Sequence, residues 1–482
     1  MFYTYGICHA GSEGIIPASD EGLGALRGEL AKRFTASGDD RQCDIAAGCL
    51  RNFARGEDFS RLIARSVRDG KIAKTTRLRS ALVCVFLFLL FFWGEALSAT
   101  YYVSPSGNDA NAGSTAAPFR TIQRAANVVN PGDVVIVRNG TYTDTDGSDS
   151  IVRTTRGGTS SAWVTFKAEN KWGAVLDGQN QNNTGAQYCF IGGSASANYI
   201  RIEGFEMKNC DNGTFHNLGE HDIDIYNNYI HDIGRRTNNT MYGMTGSYTG
   251  SDTYNFTWDS NIFKDIGRLN PQTTPAGSEA SCTTPPDYIF NGVPYGNQVH
   301  CYSHDHGLYL KSSYNTIVNN VFAGQFMSGF AAIFFDGSTN HTFINNTIAI
   351  GDNLYAGGQI VFQWNNKPVT VRNNIFYGDA SCAIKTNAGA QGVIENNVFY
   401  PTTTERCNQL PDLGIGDFTF SNNIEKDPLF VNKANYDFHL RAGSPAIDRG
   451  ISVAIPSHDF KKNRRPLGKV HDIGAYEFVP DQ

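Results

Sequence analysis

Side chains able to move protons crowd into one stretch, HCYSHDHGLYLKSSYNTIVNN, which runs from His300 to Asn320. His304 and His306 bracket Asp305, Tyr309 follows, and Lys311 stands five residues after His306. Imidazoles, amines and phenols serve as general acids and bases, a role that contributes typically ~10²–10⁴-fold to a rate. Lys311 or His306 would take a proton, and Tyr309 or His304 would give one to a leaving oxygen.

Two other stretches share the shape of this one. Asn228-Tyr-Ile-His231-Asp232-Ile-Gly234-Arg235 aligns with Asn261-Ile-Phe-Lys264-Asp265-Ile-Gly267-Arg268, and Cys301-Tyr-Ser-His304-Asp305-His306-Gly307 aligns with both. The alignment predicts a column of Asp232, Asp265 and Asp305 beside a column of His231, Lys264 and His304. Carboxylates so close cannot all ionise without compensation. A retained proton, neighbouring cations or a metal would supply it, and oxygen ligands of this kind suit Ca²⁺. His231, Arg235 and Arg268 are then candidates for gripping an anionic substrate. An ordinary polar corner, with each aspartate capping a turn beside its glycine, explains the same residues without chemistry. Asp336, Trp364 and Lys385 end later strand-like runs at points roughly equivalent to Lys311, which makes them further substrate-binding candidates.

The elements that must position these groups show as a repeat. The phrases IDIYNNYIHDIG, FTWDSNIFKDIG, NTIVNNVFAG, HTFINNTIAIG, VTVRNNIFYG, GVIENNVFY and FTFSNNI alternate apolar residues around an asparagine pair or near-pair. The second asparagines of the last five, Asn320, Asn346, Asn374, Asn397 and Asn423, are 26, 28, 23 and 26 residues apart. A period in the twenties built from short strands marks a solenoid, and alternation turns one face of each strand inward. Asparagine suits a fixed corner because it tolerates left-handed backbone and can bond to its copy one coil away. The reading is all-β: a right-handed, single-stranded parallel β-helix over 134–430, with roughly ten to twelve coils at this period. Residues 100–133 supply a first strand and a short capping helix over 118–129, whose Phe119, Ile122, Ala125, Ala126 and Val129 share one face. Residues 431–482 form a C-terminal capping segment expected to close the last coil.

Long interruptions follow Gly234 and Gly267. Both leave one corner, which predicts that they wall a groove rich in Tyr, Asn, Thr and Gly. Six cysteines follow residue 99, and one-coil spacing favours sequential pairing: Cys189 with Cys210, Cys282 with Cys301, and Cys382 with Cys407.

Residues 71–99 read as an export signal, with a basic flank, 13 apolar residues from Ala81 to Trp93, and small residues at Ala96, Ser98 and Ala99. The run is shorter than the ~20 residues of a spanning helix, although an uncleaved membrane anchor is the other reading. Residues 1–70 are a poorly ordered extension or a wrongly assigned start. The protein is expected to be secreted or held at the cell surface, and monomeric. Residues 100–482 carry 27 Lys+Arg against 35 Asp+Glu, a net charge of −8. That balance argues against nucleic acid as a partner.

The segment YYVSPSGNDANAGSTAAPFRTIQRAANVVNPGDVVIVRNGTY, residues 101–142, resembles the opening of secreted right-handed β-helix proteins of the pectate-lyase-like superfamily. DPLFVNKANYDFHLRAGSPAIDRG and DIGAYEF are similar to their common C-terminal segment. The resemblance implies the fold and a carbohydrate substrate. It implies no single activity, because the superfamily holds lyases, glycoside hydrolases, uronate epimerases and proteins of unknown role. The first expectation is a polysaccharide lyase acting on an acidic polymer by β-elimination. A glycoside hydrolase using Asp305 with Asp336 or Asp265, an epimerase, and a non-catalytic glycan-binding or structural surface protein are the alternatives.

Overall fold

A computed structural model of the chain describes residues 98–179, 185–235, 244–267, 305–326, 330–350, 359–378, 383–401 and 416–480, and the backbone of a short hairpin, 289–290 with 293–294. The 1–70 extension, the apolar segment 81–93, His304, Arg268, Cys282, Cys301, Cys382 and Cys407 lie outside the described residues.

Alternating apolar residues and short turns produce three parallel sheets. Sheet A has eleven strands, sheet B nine and sheet C eight. Each coil contributes one strand to each sheet in the order A, B, C, so residues far apart in the chain meet in vertical files. Ile225, Trp258 and Ile317 are one such inward file in sheet A. Phenylalanines stack inside, with Phe263 on Phe322 at 5.1 Å and Phe334 on Phe362 at 4.6 Å between ring centroids.

The turn from sheet A to sheet B carries the asparagine pair, and the two residues divide the work. The first, as at Asn319, Asn345, Asn373 and Asn396, takes a left-handed φ of 54 to 56°. The second builds a buried ladder. The backbone N–H groups of Asn228, Asn261, Asn320, Asn346, Asn374 and Asn397 each donate to the side-chain oxygen of the asparagine one coil on, at 2.8–2.9 Å. Cys189 and Cys210, one coil apart, are joined in a disulfide as the spacing predicts.

The capping helix is shorter than predicted. It spans Ile122–Ala126 and buries Ile122, Ala125 and Ala126 against the first coils. Phe119 is bridged to Val103 instead, and Asp109 accepts hydrogen bonds from the N–H groups of Arg120 and Thr121, which holds the chain extended up to the cap residue Thr121.

The C-terminal segment does not simply close the last coil. It runs lengthwise along the solenoid as a strap. Asn396 donates to the carbonyl of Arg449, Asn345 to that of Asp472, and Asn319 to that of His458. Further back, the Lys171 ammonium lies 4.8 Å from the Phe460 ring. Phe430, Phe438, Leu440, Phe460, Ile473 and Tyr476 bury Val321, Ala323, Ile375 and Val398 on the outside of sheet B.

Candidate functional site

The three outer faces differ in chemistry. Sheet A presents a threonine file, Thr257, Thr316, Thr342 and Thr370, continued by Asp224 and Arg201. Those two pair with each other at 2.5 Å, and Arg201 pairs with Glu203 at 2.8 Å. Sheet B is covered by the strap. Sheet C presents an aromatic and apolar cluster separate from both the core and the strap.

Phe215, Tyr248 and Tyr309 occupy one outward file of sheet C, followed by Ile333, Val361 and Lys385. Phe215 stacks on Tyr248 at 4.4 Å and 9° between planes, and Tyr248 on Tyr309 at 5.5 Å and 18°. Tyr309, Phe330, Ile333 and Val361 form a cluster separate from the core. Burial, with the neighbouring Tyr248, pushes the Tyr309 phenol up to about 12. It therefore keeps its proton at any ordinary pH.

Lys311 stands just past the strand that ends at Leu310. Its ammonium lies 4.7 Å from the Phe335 ring centroid, 5.6 Å from that of Tyr309 and 5.7 Å from that of Tyr248. Among the described residues it makes no ion pair, so rings rather than carboxylates frame it. Asp336 is exposed and accepts a hydrogen bond from Asn365, and Trp364 is half-buried in the next turn. The four residues expected at equivalent points occupy three neighbouring rows. Lys311 aligns with Phe335, Asp336 and Trp364 lie one residue further, and Lys385 shares the file of Tyr309. Burial lowers the Lys385 amine.

The histidine-aspartate stretch departs from expectation. His306–Leu310 is a strand of sheet C, paired with Thr245–Thr249. The slot above Asp265 in sheet B belongs to Gly324 and Gln325, whose N–H donates to Asp265 at 2.9 Å. Asp232 and Asp265 are neighbours as predicted, with His231 in register with Lys264. Asp305 is not in their column. It is fully buried where the chain enters sheet C, accepts the Met244 N–H at 2.8 Å and lies against Gly267. His306 is buried too, and its Nδ1 accepts the Phe330 N–H at 3.0 Å, so that lone pair is not available as a base.

The two remaining aspartates are already compensated. Asp232 accepts from His231 Nδ1 at 2.6 Å, and His231 Nε2 faces Glu206 at 3.2 Å. Burial raises the Asp232 carboxyl, but the His231 hydrogen bond and the charges of His231, Arg235 and Lys264 outweigh it and leave it below the usual range. Asp265 pairs with Lys264 at 3.3 Å and with buried Arg235 at 3.4 Å, and Arg235 also donates to the carbonyls of Gly267 and Gln325. This donor set does not fit the expected Ca²⁺, because its charge is spent on cations within the fold. Among the described residues no group of three or more His, Cys, Asp or Glu side chains could hold a metal ion. Arg235 is likewise occupied at the corner and does not reach the face of sheet C.

Phe215 and Tyr248 are residues of this face that the sequence did not offer. TGSYT reads as part of a long interruption, yet Thr245–Thr249 is a strand. Its inward residues are polar. Thr214 and Ser247 bond at 2.6 Å, Thr249 and Ser312 at 2.7 Å, and the Trp258 indole donates to Ser247 at 3.0 Å. Apolar alternation was therefore absent where strand geometry was present. The signal that remained was one aromatic residue, Tyr248, outward between inward Ser247 and Thr249.

Residues 101–267 match the family model for the Pel9A-like right-handed β-helix region, and residues 295–432 match that for the right-handed β-helix region. Over 102 residues the chain is 35% identical to pectate lyase PEL9 of Emericella nidulans, which covers 21% of this chain and 24% of that protein. Over 165 residues it is 26% identical to pectate lyase L of Dickeya dadantii, which covers 33% and 38%. The chain thus spans well under half the length of these curated relatives. The crystal structure of pectate lyase Pel9A aligns over 80% of this chain and 98% of its own, at 18% identity and a TM-score of 0.35.

Proposed function

We propose that this right-handed parallel β-helix protein of the pectate-lyase-like superfamily cleaves an acidic polysaccharide by β-elimination on the outer face of sheet C. One observation carries the reading: an amine, Lys311, stands among three aromatic rings and next to a phenol that stays protonated. The relatives that are pectate lyases support the reaction class.

In this reaction Lys311, as the neutral amine, removes the proton α to a uronate carboxylate. The electron pair left on that carbon forms the new double bond and expels the neighbouring glycosidic oxygen. Tyr309 gives that oxygen its proton and regains one from solvent, and the lysine returns its own proton to solvent. The stacked rings of Phe215 and Tyr248 present an apolar platform for the sugar faces. Hydrolysis needs a second carboxyl group. Asp305, its expected source, is buried and bonded to the backbone. The Cys189–Cys210 disulfide supports export, since such bonds persist in oxidising compartments.

The test is to incubate the purified protein with polygalacturonate, alginate, glycosaminoglycans and neutral glycans, with and without a chelator. A lyase produces ultraviolet absorbance from the conjugated double bond. Lys311→Ala and Tyr309→Phe should each lower that rate by about 10²-fold or more, with the thermal transition retained. Reducing ends without absorbance would replace this reading with hydrolysis, and no product on any polymer would replace it with binding alone.

A further inference from the structure

Where sheet C turns into sheet A, the rim of the solenoid carries a second run of rings. Trp163 meets Tyr199 edge-on at 5.7 Å, Tyr199 meets His221 edge-on at 5.4 Å, and His221 stacks on Tyr254 at 4.7 Å and 10°. These residues occupy successive coils. His221 is fixed by Asp222, which accepts from its Nδ1 at 2.6 Å and from Asn255 at 2.5 Å. The run ends at Tyr254, because the next residue in register is Ser313, too small to cover the ring. Tyr254 is 44% exposed and Tyr314, beside Ser313, is 56% exposed. A left-handed φ of 60° holds Tyr314 in its place on the turn.

This leaves a slot one coil wide, with an aromatic face on one side, an exposed phenol beside it and a serine as its floor. Ser313 Oγ accepts the Thr339 N–H at 3.1 Å, so its hydroxyl proton is free to donate outward. The slot also adjoins the face described above. Lys311 and Ser313 are part-exposed on either side of buried Ser312, so Ser313 lies no more than about 7 Å from Lys311. That is on the order of the length of one or two sugar units.

We propose that Tyr254, Ser313 and Tyr314 form a sugar-binding subsite next to Lys311, in which a pyranose ring of the polysaccharide stacks on the free face of Tyr254. The assignment rests on the reading that the chain takes a polysaccharide. It adds the direction of the polymer, which crosses sheet C along the strands and leaves over the rim. The chemistry favours a sugar over a protein segment. Among the described residues the slot offers one ring face and hydroxyl donors but no apolar groove, and the His221 and Asp222 beside it are bonded to each other.

Steady-state kinetics on the polymer that gives product test this directly. Tyr254→Ala should raise KM about five-fold, the worth of one aromatic contact, and leave kcat at saturation within two-fold. Tyr254→Phe, which keeps the ring, should restore the original KM. Unchanged KM in Tyr254→Ala, or a fall in kcat alone, overturns the subsite while leaving the lyase reading intact. A second arm does not depend on turnover. The Lys311→Ala protein is run in native gels cast with polygalacturonate, alginate or chondroitin sulfate, with and without Tyr254→Ala. Retardation that weakens several-fold with Tyr254→Ala sustains the subsite even if no polymer is cleaved. Equal retardation, or none in any gel, overturns it.

Discussion

His216 and His341 are enclosed by the fold, and burial lowers both rings to about 3. His341 sits against Phe334 at 4.8 Å, with Nε2 3.0 Å from the Ser338 hydroxyl. A free histidine titrates near 6.5. Between about 3 and 6.5 the unfolded chain therefore binds protons that the folded chain refuses, so stability is lost as pH falls through that window. At pH 4.5 the loss is about 2–3 kcal/mol for each ring. Asp224 and Asp472 act in the opposite sense. Burial raises both to about 6, so their contribution declines as pH rises from about 4 to 6. Comparing variants separates the terms: from pH 7 to 4.5, the denaturant midpoint should fall less in His341→Gln than in the original protein. Equal falls would mean that His341 titrates normally. At this scale the sequence showed the outward direction of Tyr309, because buried Leu308 and Leu310 set the alternation around it. It misplaced Asp305 because likeness of motif was taken over likeness of position. His231 and Lys264 each follow their corner asparagine by three residues, whereas His304 precedes Asn320 by sixteen. The corner, not the motif, measures where a residue stands in a coil.

The asparagine corner is the element on which that measure rests, and its two halves should respond differently to substitution. Asn346 accepts from the backbone and side chain of Asn320, and donates to the carbonyls of Ile317 and Ile344 and to Asn374. Asn346→Ala leaves buried backbone groups without partners, at about 1–3 kcal/mol each. A loss of about 3 kcal/mol or more by chemical denaturation is expected. Asn422 takes the left-handed position, with φ of 56°. There Asn422→Gly should be nearly neutral and Asn422→Ala should cost about 1–2 kcal/mol. Equal effects of glycine and alanine at residue 422 would remove the division of roles. The repeat was legible because this corner tolerates little else. Strands of sheet C were less so, since Thr245–Thr249 fills the interior with hydroxyls that bond to one another. Their polar residues look like a loop when read singly.

For the molecule as a whole, the strap was legible as a segment and not as a position. Its buried residues match sheet B only after the sheet exists, and no local pattern announces a partner that distant. Arg465 and Glu477 pair within it at 2.6 Å with no exposure on either side chain, and Arg465 also donates to Asn319 of the solenoid. Arg465→Ala leaves the glutamate buried without its counter-charge, held only by the N–H groups of Leu467 and Asp472, which should cost about 3–5 kcal/mol. Replacing both residues by apolar ones should recover much of that, and a neutral single variant would show that the strap is not held there. The same strap ties early coils to the latest residues, because Lys171 and Tyr226 are in contact with Phe460, His458 and Lys462. A nascent chain lengthens by about 5–20 residues per second. The flank formed around residue 171 must then wait roughly 15–60 s for its cover, at that rate. A solenoid able to zip up behind the ribosome is thereby made to finish late, and a premature stop near the end of the message would leave the outside of sheet B uncovered.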